Sequence, residues 1–175
     1  MSHLGESTFS YIMRKSGRKP TACNCAKCQS QCRIPCLGTP EDIVKIMEAG
    51  YADRLAPTVW AAGMIMGVID RPVNMIQAIQ REDGYCTFFN DGKCELHDLG
   101  LKPTEGKLSH HSLIVDNFNP KRSLSWLIAK EWLSLKPGVI SVLSNLIGSS
   151  SMGLDSVSVR ERIKIQHLVI EKLNL

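Results

Sequence analysis

The stretch Cys23-Asn24-Cys25-Ala26-Lys27-Cys28-Gln29-Ser30-Gln31-Cys32-Arg33-Ile34-Pro35-Cys36 packs five of the chain's seven cysteines into fourteen residues. A tetrahedral site for a soft or borderline metal needs several thiolates on a short piece of backbone, because local ligands spare the entropy of gathering distant ones. Cys25-x2-Cys28 is the spacing at which a tight turn aims two sulfurs at one ion. Cys32 and Cys36 follow at four-residue intervals. Were residues 25–36 helical, Cys25, Cys28, Cys32 and Cys36 would form one stripe. That stripe contains no Leu, Val or Phe, unlike a stripe built for packing, and Pro35 disfavours a regular helix there. Metal ligation explains the run better than buried free thiols or disulfide chemistry.

The rest of the composition is that of a globular chain, with 43% hydrophobic and 22% charged residues among 175, which excludes disorder. The net charge of +4 is concentrated early: Arg14, Lys15, Arg18, Lys19, Lys27 and Arg33 precede Gly38, against Glu6 alone. Basic surroundings lower cysteine pKa values, so this bias serves thiolates directly. No aromatic–basic interleaving of single-strand binders is present, and nucleic acid is disfavoured as a partner. Residues 1–20 lack the apolar run of a secretory signal, so a cytoplasmic location is expected. Seven cysteines, an odd number, fit metal or redox roles there better than structural disulfides. The most apolar region, residues 124–147, is broken by Lys130, Glu131, Lys136 and Pro137 and is not a membrane span.

Along the chain, residues 1–22 read as irregular, with Ser16-Gly17 and Pro20 as breakers. Thr39-Pro40-Glu41-Asp42 predicts a helix start, with a capping Thr, Pro at the first position and acids facing the dipole. That helix should run to about Gly50, burying Ile43, Ile46 and Met47. Residues 57–73 are apolar and read as strand. Gly84 to His97, with the turn Asn90-Asp91-Gly92, predicts a β-hairpin carrying Cys86 and Cys94 on its two arms. Residues 98–120 read as loop. Ser123 should cap a helix through Leu133 that stops before Pro137-Gly138, and residues 139–147 and 157–173 read as further helices. The expected fold class is α+β: a cysteine-rich metal-binding domain over residues 1–120 with a hairpin, then a mainly helical part over residues 121–175.

Cys86-x7-Cys94-x2-His97 adds two thiols and an imidazole, and His110-His111 lie a loop away. Adjacent residues rarely serve one ion together, so at most one of His110 and His111 is expected to bind. The two cysteine groups together resemble the YkgJ-like cysteine-cluster family, small bacterial proteins with a zinc- or iron-chelating CxxCxxCC domain. The resemblance spans about residues 23–107. It rests on Cys25-x2-Cys28, on Thr39 to Ile43, on Cys86-Thr87-Phe88-Phe89, and on Gly92-Lys93-Cys94 followed by Glu95-Leu96-His97. The family's adjacent cysteine pair is here spread out as Cys32 and Cys36, and Gly106 stands where its last cysteine would fall. The resemblance implies that His97, His110 or an extra amino-terminal cysteine takes that cysteine's place, with His97 our first choice.

The expected function is metal binding through Cys25, Cys28, Cys32, Cys36, Cys86, Cys94 and His97. The irregular, thiolate-rich run favours an iron–sulfur cluster over zinc, whose structural sites more often present two tidy pairs. The alternative is a zinc-stapled interaction module that docks a protein partner through its C-terminal helices. No nucleophile–base pair, phosphate loop or paired catalytic carboxylates stands out, so catalysis would have to come from the metal or a partner.

Overall fold

The computed structural model describes residues 6–21, 23, 25–111, 118–134 and 136–142. The chain enters through a helix, α1, Thr8–Ser16, where the sequence led us to expect irregular backbone. Its ends are conventional: the Ser7 hydroxyl accepts from the Ser10 N–H, Arg14 and Lys15 face the negative end of the dipole, and Gly17 closes it at φ 72°. The Ser16-Gly17 pair that reads as a breaker is the terminus of this helix.

The cysteine run folds as α2, Ala26–Gln31, with Cys25 as N-cap and Cys32 as C-cap. The stripe conceivable across residues 25–36 is therefore cut at Cys32, ahead of Pro35, whose ring cannot follow a helix. Next comes α3, Pro40–Glu48, opened by the expected Thr39 cap, here a full capping box with Asp42. Ile43, Ile46 and Met47 are buried as expected.

After a 3-10 turn at Ala52–Arg54, two strands pair antiparallel: β1, Leu55–Trp60, and β2, Val73–Ala78, with Leu55 opposite Ala78 and Trp60 opposite Val73. Between them lies a short helix, α3's successor α4, Ala62–Ile65. The strand expected over residues 57–73 thus covers only its beginning. Gly63 is required at the reversal, since a Cβ there would lie 2.5 Å from Cζ3 of Trp60.

The predicted hairpin is formed by β3, Phe89–Asn90, and β4, Lys93–Cys94. Asp91 and Gly92 both have positive φ, 49° and 78°, the two-residue turn that matches strand twist. Its register puts Phe89, not Cys86, opposite Cys94; Cys86 instead bridges Gln80. Two short helices follow, α5, Glu95–Asp98, and α6, Thr104–Leu108, the second inside a stretch expected to be loop. A 3-10 turn at Pro120–Arg122 leads to α7, Leu124–Glu131, capped by Ser123 as expected, and residues 137–142 are helical. The expected helix at residues 157–173, and the end of that at residues 139–147, lie outside the described residues.

The architecture is α+β, and one apolar cluster joins α1, α3, β2, the hairpin and α7 through Ile12, Ile43, Met75, Phe88, Ile128 and Trp132. The division expected at residue 120 does not part this core. Trp132 is 1% exposed, and its indole Nε1 donates to the Gly38 carbonyl at 2.9 Å, next to the cysteine run. Truncating a buried tryptophan costs about 3–5 kcal/mol, so Trp132→Ala should lower the urea midpoint by that equivalent. Trp132→Phe, which chiefly loses the hydrogen bond, should cost about 1–3 kcal/mol. A loss under about 1 kcal/mol for Trp132→Ala would mean that the helical part folds independently of the cysteine-bearing part.

Candidate metal centre

The backbone between Cys32 and Thr39 is held by four separate segments. The Arg33 carbonyl accepts from the Cys86 N–H at 2.5 Å, and the Pro35 carbonyl accepts from Nε2 of Gln77 at 2.6 Å. Leu37 and Glu105 exchange two bonds: Leu37 N–H to Oε2 of Glu105 at 2.7 Å, and Glu105 N–H to the Leu37 carbonyl at 3.0 Å. Gly38 receives the Trp132 indole. Buried Asp42 then ties α3 to α6 by accepting from the backbone N–H groups of Thr39 at 3.0 Å and Thr104 at 2.8 Å. The start of α6, which precedes His110 and His111 by a few residues, is thus locked to the cysteine loop.

One group of ligand-type side chains and, beside it, a second set of thiols around the Cys32–Cys94 pair result. In the first, one ligand atom from each of Cys23, Cys28, His110 and His111 lies within 4.8 Å of every other. Nδ1 of His111 is 3.2 Å from Sγ of Cys28 and 3.6 Å from Sγ of Cys25, and the two imidazole rings lie 4.3 Å apart, tilted by 35°. Zinc bonds of about 2.3 Å to sulfur and about 2.0 Å to nitrogen give tetrahedral edges of about 3.3–3.8 Å. The separations, 4.8 Å at most, need to close by no more than about 1.5 Å, so this group could hold a metal ion.

In the second group the Cys32 thiol meets that of Cys94. The Cys94 thiol, hydrogen-bonded to Cys32, and the Lys102 ammonium hold the Cys32 pKa down to about 6 against the opposing effect of burial. Cys94 is pushed up, first by that same bond and then by burial. Burial also pushes up Cys36, reinforced by the Glu105 carboxylate, and Cys86, where Arg54 and Arg81 counteract it. The Cys32 charge reaches both of these thiols. In the first group burial raises Cys28, while exposed Cys25 is lowered chiefly by the backbone N–H of Cys28.

A cavity of about 40 Å³ adjoins both groups, lined by Cys23, Cys28, Cys32, Cys94, His97 and Lys102 among others. It has room for an ion but not for an organic substrate. All seven cysteines are free thiols.

Of the seven residues chosen from the sequence, Cys25 and Cys28 lie with His111, Cys32 meets Cys94, Cys36 and Cys86 lie within reach of the Cys32 charge, and His97 lines the shared cavity. Position 106 faces the second group: a Cβ on Gly106 would lie 3.1 Å from Sγ of Cys36 and 2.7 Å from Cε of Lys102. Cys23 and the pair His110 and His111 stood outside that choice, and where at most one of the two adjacent histidines was expected to bind, both imidazoles lie with the thiols of Cys23 and Cys28. Only the density of cysteine and the paired histidines signalled this, since the contact spans more than eighty residues of chain. No family model matches the chain, and neither a curated protein nor a solved structure does.

The thiol environments predict an order of reactivity in metal-free protein. Cys25, exposed and lowered, should be carbamidomethylated at pH 7 at least about tenfold faster than the half-buried, raised Cys36 and Cys94. Timed quenching with peptide mass spectrometry reads the order, and equal rates at Cys25 and Cys36 would contradict the arrangement.

Proposed function

We propose that this chain is a metal-binding protein whose cysteine thiolates hold an iron–sulfur cluster, in keeping with its resemblance to the YkgJ-like cysteine-cluster family. What supports this reading is the meeting of the Cys32 and Cys94 thiols, with Cys36 and Cys86 near enough to feel the Cys32 charge and with Lys102, Arg54 and Arg81 supplying positive charge. Those four thiolates would hold the cluster, which supplies one-electron chemistry when bound. The surrounding cations offset thiolate charge that burial would otherwise make costly. A cytoplasmic site goes with this reading, because free thiols persist where the environment keeps them reduced.

The second reading is a zinc-stapled interaction module, favoured by one observation: two imidazoles beside two thiols are a zinc donor set rather than a cluster donor set. Its partner surface would be the C-terminal helices. Among the described residues no helix is long and apolar enough to cross a membrane.

Anaerobic purification followed by an absorption spectrum and metal and sulfide analysis separates the two. Brown protein with iron and acid-labile sulfide is the expected result, because thiolate-to-iron charge transfer absorbs visible light while the filled d-shell of zinc does not. Colourless protein holding stoichiometric zinc would replace the first reading with the second.

A further inference from the structure

We infer that Cys23, Cys28, His110 and His111 form a mononuclear Cys2His2 site for zinc or a zinc-like divalent ion, separate from the thiols around Cys32. This goes beyond the proposed function and holds whatever the thiols around Cys32 bind.

A tetrahedral ion takes four donors, and the chain offers seven thiols and two adjoining imidazoles. The four ligand atoms of the Cys2His2 set are mutually within 4.8 Å, and no atom of Cys32, Cys36, Cys86 or Cys94 belongs to that set. The Cys32 thiol is paired with Cys94 instead, its Sγ lying 3.9 Å from the Cys28 carbonyl. Cys25 touches Nδ1 of His111 at 3.6 Å but also stands outside the mutual set.

Two thiolates and two neutral imidazoles balance a divalent ion and leave a neutral complex, which suits a half-buried position near the surface. The thiol group around Cys32 has instead gathered Lys102 and two arginines. Cys28 and Cys32 lie one helical turn apart, which is why the 40 Å³ cavity touches both groups and the sites adjoin. Occupancy of the Cys2His2 site would tie the start of α2 to the end of α6 and close the chain between them into a loop.

The test uses the full chain, reconstituted anaerobically with ferrous iron, sulfide and zinc chloride, then measured for metals, sulfide, absorption and zinc-edge X-ray absorption. About one zinc per chain is expected, with about two sulfur and two nitrogen neighbours. The double variant His110→Ala/His111→Ala should lose that zinc and keep iron, sulfide and colour, while Cys32→Ser/Cys94→Ser should do the reverse. Should the histidine variant fail to fold, His111→Cys carries the test: it should keep the zinc with the sulfur count raised from about two to three. An all-sulfur zinc shell in the wild type, an unchanged shell in His111→Cys, or iron and zinc lost in step from the folded histidine variant would overturn the inference. If the chain takes zinc but no iron, the iron–sulfur reading fails. The Cys2His2 inference then stands only if a zinc with about two sulfur and two nitrogen neighbours is lost from the histidine variant and kept by Cys32→Ser/Cys94→Ser.

Discussion

The backbone between Arg33 and Gly38 receives hydrogen bonds from four parts of the chain, and the remainder of the structure depends on that convergence. Cys86, Gln77, Glu105 and Trp132 come from the segment after β2, β2 itself, α6 and the end of α7. Each bond satisfies a peptide group that an irregular loop would otherwise leave unpaired near the core. The Cys86 bond also fixes where Cys32 and Cys36 sit relative to Cys86. Fold and the positions of these candidate ligands therefore depend on one short loop, and metal bound there would stabilise both.

The thiols have been brought together at an electrostatic cost. Cys28, Cys36, Cys86 and Cys94 are all raised, while Cys32 alone among the buried thiols falls to about 6. The lowered Cys32 and raised Cys94 share one charge between them, because several anions at close quarters repel. A bound metal would reverse that balance by displacing protons. Proton release also gives the sign of the pH response: metal binding weakens as pH falls, first where the ligands are hardest to deprotonate.

Where local chemistry determined local structure, the sequence was legible. Thr39 and Asp42 announced α3, Asp91-Gly92 announced the hairpin, and Ser123 announced α7. Misreadings arose where a short signal had two meanings. Ser16-Gly17 marks a helix end as readily as a loop, the apolar run after Pro57 does not distinguish strand from helix, and Gly106 weakens the helical reading of α6 that Asp42 and Leu37 enforce from outside. The thiol run was conspicuous, but its partition was not. The pairing of Cys28 with His111 and of Cys32 with Cys94 depends on α2 ending at Gln31 and on contacts distant in sequence.

The central claim, that ligand geometry and core share the loop from Cys32 to Gly38, is tested most directly by amide hydrogen exchange on metal-loaded and chelator-treated protein. Removing the metal should raise exchange at the Cys86, Leu37 and Glu105 N–H groups together, by at least about tenfold, as these bonds open in one cooperative unit. Unchanged protection at all three amides after complete metal removal would contradict the account.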